Sequence, residues 1–165
     1  MNIFYLDTDP IEISKMLCDK HSVKMVLESA QMLSTAHRVL DGSSYANEHG
    51  LYRIAHKNHP STIWTRSSSQ NYFWHLSLFR AMLDEYSHRF HRTHKSNNLY
   101  DSLVHLPKNI TSGRFTPPPQ CMPSVYKRDD AIEAYRNFYV SEKSHFAQWS
   151  YREPPSWFVK GIKNH

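Results

Sequence analysis

The sequence is poor in the residues that staple or bend small secreted folds. Among its 165 residues there are four glycines and two cysteines. Cys18 and Cys121 are too few and too far apart for a disulfide framework, so we expect free thiols in a reducing compartment. Segments that alternate polar and apolar residues over a useful length are also lacking, which argues against a fold built from strands.

Long apolar runs are missing as well. No segment approaches the roughly 20 apolar residues that cross a bilayer, and the opening MNIFYLDTDP lacks the basic and apolar regions of a secretory signal. We therefore expect a soluble, cytoplasmic protein without a membrane partner. Lysine and arginine number 20 against 15 aspartates and glutamates, with 12 histidines besides. This excess of positive charge indicates an acidic partner, of which nucleic acid is the commonest.

Apolar residues that recur three and four positions apart predict two long helices, over residues 19–40 and about 69–91. The pair Asp129-Asp130 predicts the start of a third, and Asp9-Pro10 that of a shorter one. A chain of this length forms one domain with a real core. We therefore predict an all-α fold for residues 1–165, a compact single-domain bundle of about four main helices with long loops.

Three further stretches complete this prediction. The apolar run Asn2–Leu6 is expected in the core, either as a strand or as a segment tucked between helices. Prolines at 117–119 and 123 predict an irregular connection. Residues 152–158 predict an aromatic C-terminal tail that packs back on the domain.

A narrow polar strip runs along the helix predicted over residues 19–40, which is otherwise apolar enough to be buried nearly all round. Alternate spacings of three and four make its members project in one direction. The strip consists of His21, Lys24, Glu28, Gln31, Thr35 and Arg38. Its single carboxylate, Glu28, stands between a cation and an amide, and such a group is a candidate for acid or base chemistry. An ordinary solvated helix face is the alternative.

Histidines and basic residues cluster at two other places. His56 and His59 are three apart, a spacing that suits a metal on a helix, but no nearby cysteine or carboxylate completes a set, and His59-Pro60 ends regular structure. We therefore expect no metal there and favour a loop that contacts phosphates. Residues 89–95 form a basic helix end that is also available to phosphate.

Three stretches carry a resemblance to a known family. The first is Asp19-Lys20-His21, followed by Glu28; the second is Ser61-Thr62-Ile63, leading into Tyr72-Phe73; the third is Met122-Pro123-Ser124-Val125-Tyr126-Lys127, with Ala134, Arg136 and Pro155-Ser156-Trp157-Phe158. Together they resemble the phage pyrimidine-dimer DNA glycosylases of the endonuclease V type, which combine glycosylase and abasic-site lyase activity on a compact helical fold. The likeness spans most of the chain, although each motif is short.

The resemblance implies a specific mechanism. In that family the free N-terminal α-amine attacks C1′ of the damaged nucleotide and forms a Schiff base, while a glutamate stabilises the sugar cation and moves protons. An α-amine has an ordinary pKa of about 8, so a usable fraction is a neutral nucleophile at pH 7. Glu28 would be that glutamate and His21 would position it or the sugar. Family members begin with a small residue after methionine removal; here the bulk of Asn2 discourages removal, so either the N-terminal amine is misplaced or Met1 serves as the nucleophile.

The expected function is therefore that of a DNA-damage base-excision enzyme, with possible lyase activity, acting on an extruded nucleotide. It would be a monomer without a cofactor, in the host cytoplasm if a phage encodes it. Its expected DNA contacts are Lys24, Gln31, Arg38, Arg66, Lys127 and Arg128. Two alternatives stay open. One is a phage enzyme that modifies DNA bases or nucleotides, or a glycosidase, on the same fold; the other is a nucleic-acid-binding protein without catalysis, whose affinity falls steeply with salt.

Overall fold

The computed structural model describes residues 1–164, and over that range it consists of helices and irregular segments without a strand. The helices are α1 (Pro10–Met16), α2 (Asp19–Asp41), α3 (Ser44–Glu48), α4 (Pro60–Ser67), α5 (Ser69–Phe90), α6 (Tyr100–Leu103), α7 (Ala131–Lys143) and α8 (Ser156–Lys163). Short 3₁₀ turns span Lys95–Leu99 and Ser124–Tyr126. The predicted all-α class is confirmed. Three of the described helices, α2, α5 and α7, are long, where about four main helices were expected.

Local capping explains where the first helices begin and end. The carboxylate of Asp9 accepts a hydrogen bond from the N–H of Ile11, and Pro10 occupies the first helical position. α2 ends at Gly42, whose φ of 79° lies in the left-handed region that favours glycine. These boundaries follow from residues close in sequence, which is why periodicity and caps predict them well.

The N-terminal segment runs through the core as an irregular stretch and not as a strand. Residues 3–6 are all buried. The ring of Phe4 stacks on His21 of α2, with centroids 4.4 Å apart, and meets Tyr139 of α7 edge-on. The segment therefore joins α2 to α7 by side-chain packing, and it brings the first residues of the chain alongside α2.

The prediction that α2 is buried nearly all round is wrong in one respect. α4 and α5 pack against α2, and most of its apolar residues are enclosed. Val23 and Leu27, however, are 43% and 39% exposed. They lie on a stripe of α2 that none of these neighbours covers.

No helix within residues 1–164 combines the length and hydropathy needed to cross a membrane.

A buried ion cluster ties the C-terminal tail to the helices. Arg89 belongs to the basic helix end predicted to be available to phosphate, yet its side chain is fully buried and donates to Glu85 and Asp19. Arg152 donates to the same Glu85 carboxylate from the tail. The predicted packing of the aromatic tail is confirmed, because Phe158 of α8 is buried.

Replacing Glu85 with glutamine is expected to lower the free energy of unfolding by about 3 kcal/mol, because it leaves two arginines, one of them fully buried, without their shared carboxylate. Urea denaturation measures this. The adjacent Asp84 offers a matched control: its side chain is 69% exposed and, among residues 1–164, pairs with Arg80 alone, so Asp84→Asn should cost less than about 1 kcal/mol. Equal losses in the two variants would contradict the role assigned to the cluster.

Candidate active site

The carboxylate of Glu28 lies beside the first two residues of the chain. Glu28 is only 8% exposed, and both oxygens of its carboxylate have partners. Its Oε1 accepts a hydrogen bond from the Asn2 main-chain N–H at 3.1 Å and lies 3.6 Å from the Met1 nitrogen. Its Oε2 lies 3.8 Å from Nζ of Lys24, one turn earlier on α2. Two amino groups thus flank one largely buried carboxylate.

The Met1 residue is anchored by its side chain and exposed at its main chain. The side chain is 2% exposed and packs against the core. The residue as a whole is nevertheless only half-buried, so its accessible surface belongs to main-chain atoms. The buried side chain therefore anchors the residue whose nitrogen lies 3.6 Å from Glu28 Oε1.

His59, which was expected in a basic loop, lies where the charges of the Met1 amine and Glu28 act on it. His59 caps α4, where its Nδ1 accepts a hydrogen bond from the Ser61 N–H at 3.1 Å. Burial first, and then the positive charges of the Met1 amine and of His56, lower the pKa of His59, while the Glu28 carboxylate acts in the opposite direction. The imidazole is therefore neutral at pH 7, with Nε2 carrying the proton.

A cavity of about 680 Å³ opens beside Cys121, a residue that Asn2 contacts. It is lined by His59, Pro60, Pro119, Gln120, Cys121, Met122, Lys127 and Arg128. The carbonyl of Cys121 also accepts a hydrogen bond from the Asn2 side chain at 3.1 Å, so the cavity wall and the N-terminal segment are in direct contact. The volume falls in the range of pockets that hold small molecules or cofactors, and Lys127 and Arg128 make one wall positive.

The structure places five of the predicted site residues in two neighbouring groups, which the Asn2–Cys121 hydrogen bond links. Met1, Lys24 and Glu28 form the cluster of amines and carboxylate, and Lys127 and Arg128 line the adjacent cavity. The guanidinium of Arg128 donates to the carbonyls of Val125 and Lys127, which holds it against its own loop.

His21 lies in the core and not on an open surface. Its Nδ1 is 2.7 Å from the Tyr139 hydroxyl, and the ring stacks on Phe4. Burial, followed by the charges of Lys143, Lys24 and Lys20, lowers the pKa of His21 to about 3. The contacts of this neutral ring are with the core side chains that join α2 to α7.

The predicted strip on α2 does not act as one surface, because different parts of the chain cover its members. Arg38 donates to the carbonyls of Leu51 and Tyr52 and so holds the loop after α3. Thr35 is buried and accepts from the Ala55 N–H. Gln31 and Arg66 are half-buried and do not line the cavity. A role of Gln31, Arg38 and Arg66 in DNA contact stays a prediction.

Two residues of the site had no distinctive pattern in the sequence. Asn2 looks like an ordinary polar residue at the start of an apolar run, and His59 like one basic residue among several. A histidine directly before a proline at a helix start is a usable sign of a capping role, but nothing local indicates that the N-terminus lies beside it.

Searches against protein-family models, curated proteins and solved structures found no match. Within residues 1–164, no group of three or more histidine, cysteine or acidic side chains is placed to hold a metal ion. The function is therefore inferred from the site itself, together with the residue-level resemblance described above.

Proposed function

We propose that this protein is a DNA base-excision enzyme that attacks the sugar of an extruded nucleotide with the α-amino group of Met1. The observation that carries the proposal is the 3.6 Å separation between the Met1 nitrogen and Glu28 Oε1. This ion-pair distance lies just beyond hydrogen-bond reach, so a small shift of the amine or one bridging water would let the carboxylate exchange protons with it during the reaction. Glu28 is the residue that moves protons and faces the positive charge that develops on the sugar.

The proposed chemistry has two stages. The neutral amine forms a bond to C1′ while the bond from C1′ to the base breaks, and the base leaves with the electron pair and takes up a proton. Glu28 accepts a proton from the attached amine and delivers it to O4′ as the sugar ring opens, which gives a Schiff base. In the lyase stage Glu28 or water takes a proton from C2′, and the C3′–oxygen bond breaks so that the phosphate on the 3′ side leaves with the electron pair. Water then hydrolyses the Schiff base and frees the Met1 amine.

Lys24 is the competing nucleophile, because its Nζ lies 3.8 Å from the same carboxylate. Lysine ammonium groups ordinarily titrate near pH ~10.4 and α-amines near pH ~8, so a larger share of α-amines is neutral at pH 7. The Lys24 side chain is also 63% exposed, whereas the Met1 side chain is locked in the core. These differences favour Met1 as the nucleophile and Lys24 as a phosphate contact.

The cavity supplies the substrate site of this proposal. An enzyme that acts on a base in duplex DNA must extrude the nucleotide, and the cavity beside Cys121 and His59 receives it. Lys127 and Arg128 line the same cavity and would neutralise flanking phosphates. The protein would therefore bind DNA with an affinity that falls as salt rises.

Borohydride trapping on DNA tests the proposal. Intact mass should first show Met1 with a free amine. Incubation with a duplex that contains an abasic site or a pyrimidine dimer, in the presence of borohydride, is then expected to give a one-to-one covalent adduct that peptide mapping locates at Met1. Lys24→Gln should still form this adduct, though with weaker DNA binding.

Three results would overturn the proposal. An adduct on Lys24 would show that Lys24, and not Met1, is the nucleophile. Altered nucleosides with intact strands would indicate an enzyme that modifies bases or nucleotides. Salt-sensitive binding with no adduct and no product would indicate a nucleic-acid-binding protein in which the Met1–Glu28 contact serves only to hold the N-terminus.

A further inference from the structure

The residue next to the proposed nucleophile is fastened by both ends of its side-chain amide. Nδ2 of Asn2 donates to the carbonyl of Cys121 at 3.1 Å. Oδ1 of Asn2 lies 2.9 Å from the hydroxyl of Tyr135 and accepts the N–H of Ile3 at 2.8 Å. Since the main-chain N–H of Asn2 also donates to Glu28, both the main chain and the side chain of this residue are held.

Tyr135 stands at the centre of this arrangement. It lies on α7 and is fully buried. Its hydroxyl accepts the N–H of Cys121 at 3.3 Å, and its single proton is shared between Asn2 Oδ1 and the carbonyl of Pro119. Pro119 and Cys121 line the cavity. One hydroxyl therefore connects the N-terminal segment, the cavity wall and α7.

These contacts determine where the Met1 amine can be. The amine is separated from the Asn2 nitrogen by two main-chain carbons, so holding Asn2 leaves mainly the torsions of Met1 to move it. The Met1 side chain is in the core, which restrains those torsions as well. A shift of Asn2 would change the position of the amine relative to both Glu28 and the cavity wall at Cys121.

We propose that Tyr135 is a positioning residue that sets the place of the Met1 amine through Asn2. This inference rests on the function proposed above, in which that amine is the nucleophile. Tyr135 does not touch the substrate, because it has no accessible surface. Its contribution is to hold the Met1 amine at the position from which it reacts, and misplacement by about 1 Å can cost about 10²-fold in rate.

Removal of the hydroxyl tests the inference, and a second buried tyrosine gives a matched control. Tyr72 on α5 is also fully buried, and its hydroxyl donates to the carbonyl of Leu103 and contacts His37, away from the cavity. In Tyr135→Phe the rate of borohydride trapping under single-turnover conditions should fall by about 10- to 100-fold. DNA affinity should stay within about 2-fold, since no phosphate-contacting side chain changes. Tyr72→Phe should lose stability without a comparable loss of rate.

A second variant keeps the test decisive if Tyr135→Phe folds poorly. Asn2→Leu removes the side-chain amide directly, keeps the bulk that discourages removal of Met1, and should reproduce the loss of rate, while Asn2→Asp, which retains an acceptor for the tyrosine hydroxyl, should recover part of it. The inference is overturned if both Asn2→Leu and Tyr135→Phe trap DNA at the wild-type rate, or if the loss of rate merely follows the loss of stability in all variants, Tyr72→Phe included. Failure of the wild type to form any adduct would overturn the proposed function as well, so the two failures are distinguishable.

Discussion

Glu28→Gln is expected to lower the single-turnover rate of strand cleavage at an abasic site by about 10²- to 10⁴-fold. Glutamine has the same shape and still accepts the hydrogen bond that the Asn2 N–H now donates to Glu28. It accepts no proton from the Met1 amine, however, and it places no negative charge beside the sugar cation. Gel analysis of a labelled duplex measures the rate directly.

DNA binding and folding separate the catalytic effect of Glu28 from a structural one. Loss of a negative charge should leave the affinity for abasic DNA unchanged or slightly increased, as measured by fluorescence anisotropy. Glu142 of α7 is exposed, so Glu142→Gln is a control for the charge change and should keep the wild-type rate. An unchanged rate in Glu28→Gln, with the variant folded, would remove Glu28 from the mechanism.

We expect the second large effect when the chain is extended ahead of Met1. A glycine-serine pair at this point turns the Met1 nitrogen into an amide, whose lone pair is delocalised into the carbonyl and is not nucleophilic. The new amine would lie several ångströms further along the chain. We expect the yield of the borohydride adduct to fall by more than about 100-fold, because the positioned amine no longer exists.

The control for the extension is the same polypeptide with its Met1 amine restored. An extension that ends in a protease site directly before Met1 can be removed after purification, and the cleaved protein should regain the wild-type yield of adduct. Binding of abasic DNA should be similar before and after cleavage. Full trapping by the extended chain would show that Met1 is not the nucleophile.

The helices of this protein are largely readable from its sequence because their causes are local. Asp9-Pro10 begins α1, and Gly42 ends α2 with a positive φ. Residues 69–90 repeat apolar side chains at helical spacing and form α5. Each of these patterns involves residues within about one turn of each other, so neighbouring atoms decide the outcome.

The individual members of the polar strip show where such reasoning stops. Spacing places His21, Glu28 and Arg38 on one side of α2, but it says nothing of what covers each of them. Phe4 and Tyr139 enclose His21, and the loop after α3 engages Arg38. Glu28 alone of these three meets the N-terminus. Tertiary packing thus gave three side chains of one face three different environments.

The sequence by itself determined that this chain is helical, that it is basic, and that α2 carries a single carboxylate on a narrow polar strip. Only the tertiary structure decided that this carboxylate meets the Met1 nitrogen, that His59 and Cys121 line one cavity, and that Tyr135 holds Asn2. The physical reason is the separation along the chain: Asn2 contacts Glu28 across 26 residues and Tyr135 across 133. Contacts of that range form only when whole helices and segments pack, and no local pattern of residues encodes them.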